Sequence, residues 1–233
     1  MKISVFTSSH LRHRYLVYKL SRYFNEILYI CEKKPYIRSQ RSPLAKYYFK
    51  KVKLAEKKIF GNFNLSRKNI VKYNFKYKKV SYNTLLKSDL FKTSDVYLVF
   101  GSSIIKGKLL RYLLKKKAMN LHMGLLPFYR GTDCNFWAIY DNNLNKVGAS
   151  LIRLSKKIDG GKLIKSFKPK KKVNKYLFSM SACKNSIDKL PKFLIKNNFK
   201  FTSKNLDKKK LIRFSYYKDF NDMVIKKFLK FNK

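Results

Sequence analysis

Asn120 and His122 stand two residues apart at the end of a short strand-like run, Ala118 to His122, and Asp159-Gly160-Gly161 follows some forty residues later. Residues two apart on a strand share a face, so the amide and the imidazole leave it together. Leu126-Pro127 and Arg130-Gly131 cannot extend that strand, because Pro lacks an amide hydrogen and Gly invites a turn. The pair is therefore expected at a strand end opening into a loop, where open α/β sheets bind ligands. A carboxylate brought beside the imidazole would favour its protonated form and fix its orientation. The Asn amide is a neutral donor suited to a developing negative oxygen. No Ser, Cys or Lys is paired with them as a nucleophile. The set suits direct attack of a substrate amine on a carbonyl, with Asn120 and His122 holding the oxyanion. Singly, each residue has a plainer role: a structural His–Asp pair, a turn Asn, and packing for Leu125, Leu126, Pro127, Tyr129 and Trp137. One at a time they leave function open.

Elements that could position this group follow from the apolar pattern. Lys2 to Thr7 reads as a strand, and Leu16, Leu20 and Phe24 at helical spacing follow hydroxyls of Ser8 and Ser9 that are expected to cap the helix. Ile27 to Cys31 completes a parallel βαβ unit. The first strand-to-helix turn, Ser8 to Arg14, contains no glycine and so lacks a dinucleotide-binding fingerprint. Ser42-Pro43 opens a helix that Gly61 stops. The stretch from Asn62 to Asn83 is read as a loop with a strand from Ile70, and Leu85 to Phe91 as a short helix. Val96 to Phe100 is a continuous apolar run, as expected of a central strand. Gly101-Ser102-Ser103 then turns into a helix carrying Ile104, Ile105, Leu109 and Leu113. Cys134 to Tyr140 is expected to be helical, Val147 to Leu154 and Lys162 to Phe167 strands, Tyr176 to Asn197 a helix broken near Pro191, and Phe220 to Phe231 a helix with Met223, Ile225 and Phe228 packed on the sheet. The paired glycines after Asp159 allow left-handed or close-approach backbone. The fold class is α/β, with a Rossmann-like, mostly parallel sheet, helices on both faces and a small, mainly helical C-terminal appendage. Residues 1–172 would form the catalytic domain, and 173–233 an extension packed on it.

At 233 residues the chain can bury a substantial core, and 45% apolar content favours folding. The formal charge of +44 comes from 56 Lys and Arg against 12 Asp and Glu. Such an excess attracts nucleic acid or anionic membranes. Spread along the chain and dominated by Lys, it is read instead as compositional drift with a general attraction for anionic substrates. A nucleic-acid partner stays open but less favoured, since only Lys168 to Lys175 concentrates the charge. Three widely spaced cysteines, Cys31, Cys134 and Cys183, form neither a zinc pattern nor a disulfide framework, so no metal and a reducing cytoplasm are expected. Cys134 is read as a small buried thiol. No apolar run reaches the ~20 residues of a membrane span, and no signal peptide is expected.

Taken jointly, Asn120-x-His122-x-x-Leu125-Leu126-Pro127-x-Tyr129-Arg130-Gly131, Trp137-Ala138-Ile139, Gly148-Ala149-Ser150 and Asp159-Gly160-Gly161 resemble the folate-dependent formyltransferase family. The resemblance is strong from Val96 to Phe167, and only general in the first ninety residues. It implies 10-formyltetrahydrofolate as co-substrate and a primary amine as acceptor. Asn120 and His122 would polarise the formyl oxygen, and Asp159 would position and charge His122 and help relay the amine proton. The pterin pocket would be formed by Phe100, Gly101, Ser102, Ile104 and Ile105, by Leu125 and Leu126, and by Ile158 and Gly160 in the loop carrying the Asp. Two departures touch this pocket: Gly124 replaces a frequent Ser, and Ile104 stands where some members have Arg.

Three acceptors follow from the resemblance. Methionyl-tRNA formyltransferases add a barrel-like C-terminal domain, for which the residues after Phe167 are too few. Glycinamide ribonucleotide formyltransferases use a glycine-containing first loop, absent here, and form the alternative reading. Arg12, His13 and Arg14 beside a helix N-terminus suit a phosphate or diphosphate, although a solvated helix start accounts for them equally. With Tyr129, Arg130 and Gly131, they fit enzymes formylating nucleotide-linked amino sugars of surface polysaccharides, the favoured reading. A non-catalytic basic binding protein is a further class, and a homodimer is allowed for.

Overall fold

The opening βαβ unit forms where the apolar pattern places it. In the computed structural model, which describes residues 1–33, 42–169 and 174–230, β1 (Lys2–Ser8) leads through α1 (Leu11–Leu20) to β2 (Glu26–Lys33), parallel to β1 with Val5 opposite Tyr29. The anticipated cap is different: Ser8 ends β1 with its hydroxyl 2.6 Å from His13 Nδ1, and the helix N-cap is His10, whose ring packs edge-on to His13 and does not cap α1. Next come α2 (Pro43–Phe60), β3 (Ile70–Lys76), α3 (Tyr82–Leu86), α4 (Asp89–Lys92) and β4 (Val96–Val99). Ser42 accepts from the Ala45 N–H and Gly61 closes α2, as its sequence requires. The helix after β4 starts later than expected. Ile104 and Ile105 lie in an irregular stretch ahead of α5 (Gly107–Lys115), so they are available to the surface above β4.

β5 (Met119–His122) and the three-residue β6 (Tyr129–Gly131) bracket the central motif, followed by α6 (Cys134–Tyr140), β7 (Ala149–Arg153) and β8 (Leu163–Phe167). α7 (Lys175–Lys196) runs through Pro191 without the expected break. Leu190 and Leu194, both fully buried, hold the helix to the core on either side of the proline. β9 (Arg213–Ser215) pairs in parallel with β6, and α8 (Asp222–Lys230) ends the described chain. α8 packs beside α2 and α6 through Ile225 and Phe228 rather than on the sheet, leaving Met223 exposed. The proposed boundary at residue 172, most of the basic run ahead of α7, and Phe231 lie outside the described residues.

Among the described residues the main sheet has the order β3-β2-β1-β4-β5-β7-β8. The first five strands are mutually parallel, while β7 and β8 are antiparallel to their neighbours. Alternate residues of β1 feed opposite cores: Ile3 and Val5 meet Leu16 and Leu20 of α1 and Ile187 of α7, whereas Phe6 meets Phe91 and Leu113 on the other face. This is the α/β, Rossmann-like architecture with helices on both faces. The strand order reverses between β1 and β4, so their C-terminal ends diverge and leave a crevice.

Glu32, at the end of β2, fixes one wall of that crevice. Its fully buried carboxylate accepts from the Lys78 N–H at 2.6 Å, the Ser103 N–H at 2.7 Å and the Ser103 hydroxyl at 2.5 Å. Removing it takes the shared acceptor from the part-buried Lys78 and Ser103 amides and the Ser103 hydroxyl, at a net cost of ~0.5–1.5 kcal/mol for each bond. Glu32→Ala should therefore lower unfolding free energy by about 1–3 kcal/mol in urea titration, with Glu32→Gln recovering part of that loss. Equal stability of wild type and Glu32→Ala would contradict this role.

Candidate active site

The candidate group is assembled from two separate segments. Asn120 and His122 come from the end of β5, as their spacing required, and Asp159 from the connection between β7 and β8. One oxygen, Asp159 Oδ1, lies 3.1 Å from Asn120 Nδ2 and 3.3 Å from His122 Nδ1, while Oδ2 accepts from the Gly131 N–H at 3.1 Å. The two donors expected to hold an oxyanion thus already converge on a single negative oxygen. The left-handed residue in this loop is Asp159 itself, with φ 45°, rather than either following glycine. Such a backbone costs of order 1 kcal/mol, and three hydrogen bonds to the carboxylate hold it. Gly161 supplies close approach: a Cβ there would stand 1.7 Å from the Arg153 carbonyl oxygen.

His122 is almost wholly buried and its Nε2 lies 3.2 Å from the Tyr129 carbonyl oxygen. Burial works against a charge on this ring, yet the Asp159 carboxylate, assisted by Cys134, outweighs it and holds the pKa well above the ordinary histidine value. Burial likewise pushes Asp159 up, but His122, the Gly131 N–H and Arg130 more than offset it, and the carboxyl ends below its usual range. With a carbonyl at Nε2 and a carboxylate at Nδ1, both ring nitrogens are donors, which is the imidazolium. Cys134 is a buried thiol whose pKa burial raises, with His122 opposing that shift. Gly124 makes room for the pair. A Cβ at that position would come within 2.5 Å of Cys134 Cβ and 2.6 Å of His122 Nε2, so glycine in place of the frequent serine matches a cysteine packed against the ring.

The group opens into a cleft of about 1510 Å³ above the C-terminal strand ends, ample for two small substrates. Phe100, Gly101, Ser102, Ile104, Ile105 and Ile158 line it, and the side chains of Ile104 and Ile158 are exposed. Lys106, Lys156 and Lys157 stand on the same side, and Lys53, Lys175 and Lys218 elsewhere around it. Arg12 and His13 also face the cleft. Arg12 is paired at 2.9 Å with the buried Glu56, while His13 is buried against Phe100 and fills the space where a Gly101 Cβ would lie, 2.4 Å from its ring.

Other expected contacts are relocated. Arg14 lies about 200° around the helix from Arg12, and its guanidinium sits over Phe63, away from the cleft. Leu125 and Leu126 are buried in the core, behind the loop that begins at Gly124, with Leu126-Pro127 cis; neither lines the cleft. Tyr129 is also buried, its hydroxyl donating to Asp141 at 3.1 Å and accepting from Asn143 at 2.8 Å. Arg130 does not line the cleft; it braces the loop carrying Asp159 by donating to the Ile158 carbonyl at 2.6 Å. Gly160 is behind that loop, near Arg130 and Lys157, whereas Gly131 does face the cleft. Sequence reasoning missed Glu32, Glu56 and the Asp141–Arg213 pair, the last bonded at 2.6 Å and 3.0 Å. A lone acidic residue in so basic a chain was the available signal for each.

Three solved structures share this architecture. The chain is similar to a 4-N formyltransferase from Francisella tularensis, with 18% identity, a TM-score of 0.56, and 94% of this chain and 77% of that one covered. A phosphoribosylglycinamide formyltransferase from Streptococcus pneumoniae TIGR4 gives 15% identity and a TM-score of 0.55 over 85% of this chain and 99% of that one. A methionyl-tRNA formyltransferase from Clostridium thermocellum gives 14% and 0.51 over 98% and 82%. No protein-family model and no curated protein matches the sequence. At these identities the likeness establishes the formyltransferase fold. No helix among the described residues is long and apolar enough to cross a membrane.

The electrostatics can be checked without a substrate. In an NMR titration, His122 should remain protonated well above the ordinary histidine pKa near 6.5. Asp159→Asn removes the main stabilising charge and leaves burial dominant, so the ring should then titrate below 6.5. An unchanged titration in that variant would rule out the carboxylate as the source of the shift.

Proposed function

We propose that the chain transfers the formyl group of 10-formyltetrahydrofolate to the primary amine of a nucleotide-linked amino sugar. The observation carrying this reading is the single oxygen held jointly by Asn120 and His122, 3.1 Å and 3.3 Å away. It sets an amide with a second N–H and a ring held charged by Asp159 side by side on the cleft, where together they can stabilise a tetrahedral oxyanion placed next to the carboxylate. The cleft suits the co-substrate: the exposed Ile104 and Ile158 side chains offer apolar contact to a flat ring system, and Lys106, Lys156 and Lys157 offer charge to carboxylates. When bound, 10-formyltetrahydrofolate supplies a formyl carbon attached to N10, which acts as the leaving nitrogen.

Asn120 and the imidazolium of His122 stabilise negative charge on the formyl oxygen as the amine nitrogen bonds to the carbon. The C–N10 bond then breaks, and the carbonyl re-forms as the new formamide. Across the reaction one proton leaves the amine and one is delivered to N10. Asp159, which keeps His122 charged, and His122 itself form the relay between those nitrogens. Cleft lysines favour an acceptor bearing phosphate. Glycinamide ribonucleotide is the second reading, favoured by the extent to which the chain spans the S. pneumoniae enzyme; the glycine-free turn from Ser8 to Arg14 weighs against it.

Incubation with 10-formyltetrahydrofolate and either nucleotide-linked 4-amino sugars or glycinamide ribonucleotide, with absorbance reporting folate product, separates the acceptors. Preferential turnover of the ribonucleotide would overturn the sugar reading. His122→Ala and Asp159→Ala should each lose at least ~100-fold in kcat; near-wild-type rates in both would remove the mechanism. In the wild type, kcat should fall as pH rises through the raised His122 pKa, because the ring then loses the proton that makes it a charged donor. In Asp159→Asn this alkaline limb should move to lower pH.

A further inference from the structure

Parallel pairing of β6 with β9 sets Arg130 beside Phe214 and Gly131 beside Ser215. Phe214 in β9 and Tyr216, still extended just past its end, are two residues apart and so share one face. The result is a stack of planar groups: the Arg130 guanidinium lies 4.9 Å from the Phe214 centroid, and Phe214 and Tyr216 are stacked at 4.9 Å with 26° between their planes. Arg130 also bonds to the Ile158 carbonyl, so the stack begins on the loop carrying Asp159 and leads away from it. Tyr216 is the outer tier. It lines the cleft with 49% of its surface exposed. Its neighbour Ser215 is tied to the strand that anchors the catalytic carboxylate, through the Thr132 N–H to the Ser215 carbonyl at 3.0 Å.

We infer that the open face of Tyr216 is the platform on which the base of a nucleoside diphosphate stacks, with the diphosphate running over the basic wall of the cleft toward Asp159. A rigid aromatic face that is backed by a second ring and a guanidinium, and half open on an otherwise polar rim, is the surface a flat heterocycle covers favourably. Lys218, two residues beyond, and Lys53 and Lys175 line the same cleft and supply the charge a diphosphate requires. The folate-facing residues Ile104, Ile158 and Lys106 do not take part in the stack, so base and pterin occupy different walls. This assignment rests on the formyltransferase reading for its acceptor class, and adds where the acceptor's nucleotide is held.

Calorimetric titration of the full chain with uridine diphosphate, guanosine diphosphate, inorganic pyrophosphate and tetrahydrofolate tests it. Tyr216→Leu should weaken at least one nucleoside diphosphate by about fivefold or more, and leave pyrophosphate and tetrahydrofolate within twofold. Tyr216→Trp should restore nucleotide affinity. Unchanged nucleotide binding in Tyr216→Leu, an equal loss for pyrophosphate, or a loss confined to tetrahydrofolate each overturns the platform. So does the absence of any nucleoside diphosphate binding in a wild type that binds tetrahydrofolate, an outcome that spares the formyl-transfer reading. Tyr216-dependent nucleotide binding without tetrahydrofolate binding supports the platform and counts against formyl transfer.

Discussion

A buried carboxylate bonded on every side is the interaction on which the rest of the site depends. Asp159 reaches from the β7–β8 connection to meet an imidazolium, an amide and a backbone N–H. Taking one member away would leave a charge without its partner in a low-dielectric interior, typically at a cost of several kcal/mol. The group is therefore satisfied as a whole or not at all, and the surrounding chain is built to complete it. Gly131, with φ 90°, lies where a Cβ would be 2.0 Å from the Ser215 carbonyl oxygen, so only glycine turns its N–H toward Asp159 while β6 and β9 stay paired. The pH dependence of stability has two sides. The raised His122 pKa contributes stability that is full below the unfolded value near 6.5 and is lost as pH rises through the folded value. The depressed Asp159 pKa contributes above about 3.8 and is lost as pH falls through its folded value. Both describe one pairing, strongest when ring and carboxyl are charged together.

The same logic explains how a chain of net charge +44 arranges its few acids. Glu32 pins the turn after β4, Glu56 pins Arg12 at the start of α1, and Asp141 holds Arg213 and Tyr129 at the base of the β6–β9 pair. Each stands within the walls of the cleft or directly behind them. Acids held this way set geometry: Glu56 and Asp141 are each neutralised by an arginine, and Glu32 is satisfied by backbone and hydroxyl donors. The lysines around the rim keep their charge, so the field in the crevice stays positive and concentrates anions there.

How much of this was legible in the sequence depends on whether a residue acts through local pattern or through distant pairing. The strand carrying Asn120 and His122, the buried run from Val96, the Ser42–Gly61 helix and the antiparallel strands flanking Asp159 each announce themselves by period, cap or apolar run. β6 and β9 have three residues apiece, too few for a period to emerge, and they exist because they pair with each other. Arg14 was misplaced because adjacency in sequence becomes divergence around a helix, and Leu125 and Leu126 because a motif read as a string does not show which residues face inward. Pro191 was expected to break α7 on propensity alone, whereas burial of the leucines on either side decides the matter.

Under the proposed formyl transfer, the cationic ring of His122 also bears on the acceptor. An amine entering this cleft meets His122 in its charged form together with a lysine-rich rim, and like charge disfavours the ammonium state. The acceptor's nitrogen is thereby biased toward the neutral form that carries the nucleophilic lone pair, while any phosphate attached to it is attracted. On that reading, one field would draw the substrate in by its anionic part and discharge its amine at the formyl carbon. A neutral site could orient the same amine but would leave it protonated near neutral pH, as amines are in water. The positive charge of the cleft and the Asp159-held proton on His122 then serve one chemical end, even though the first is spread over many side chains and the second is held on a single ring.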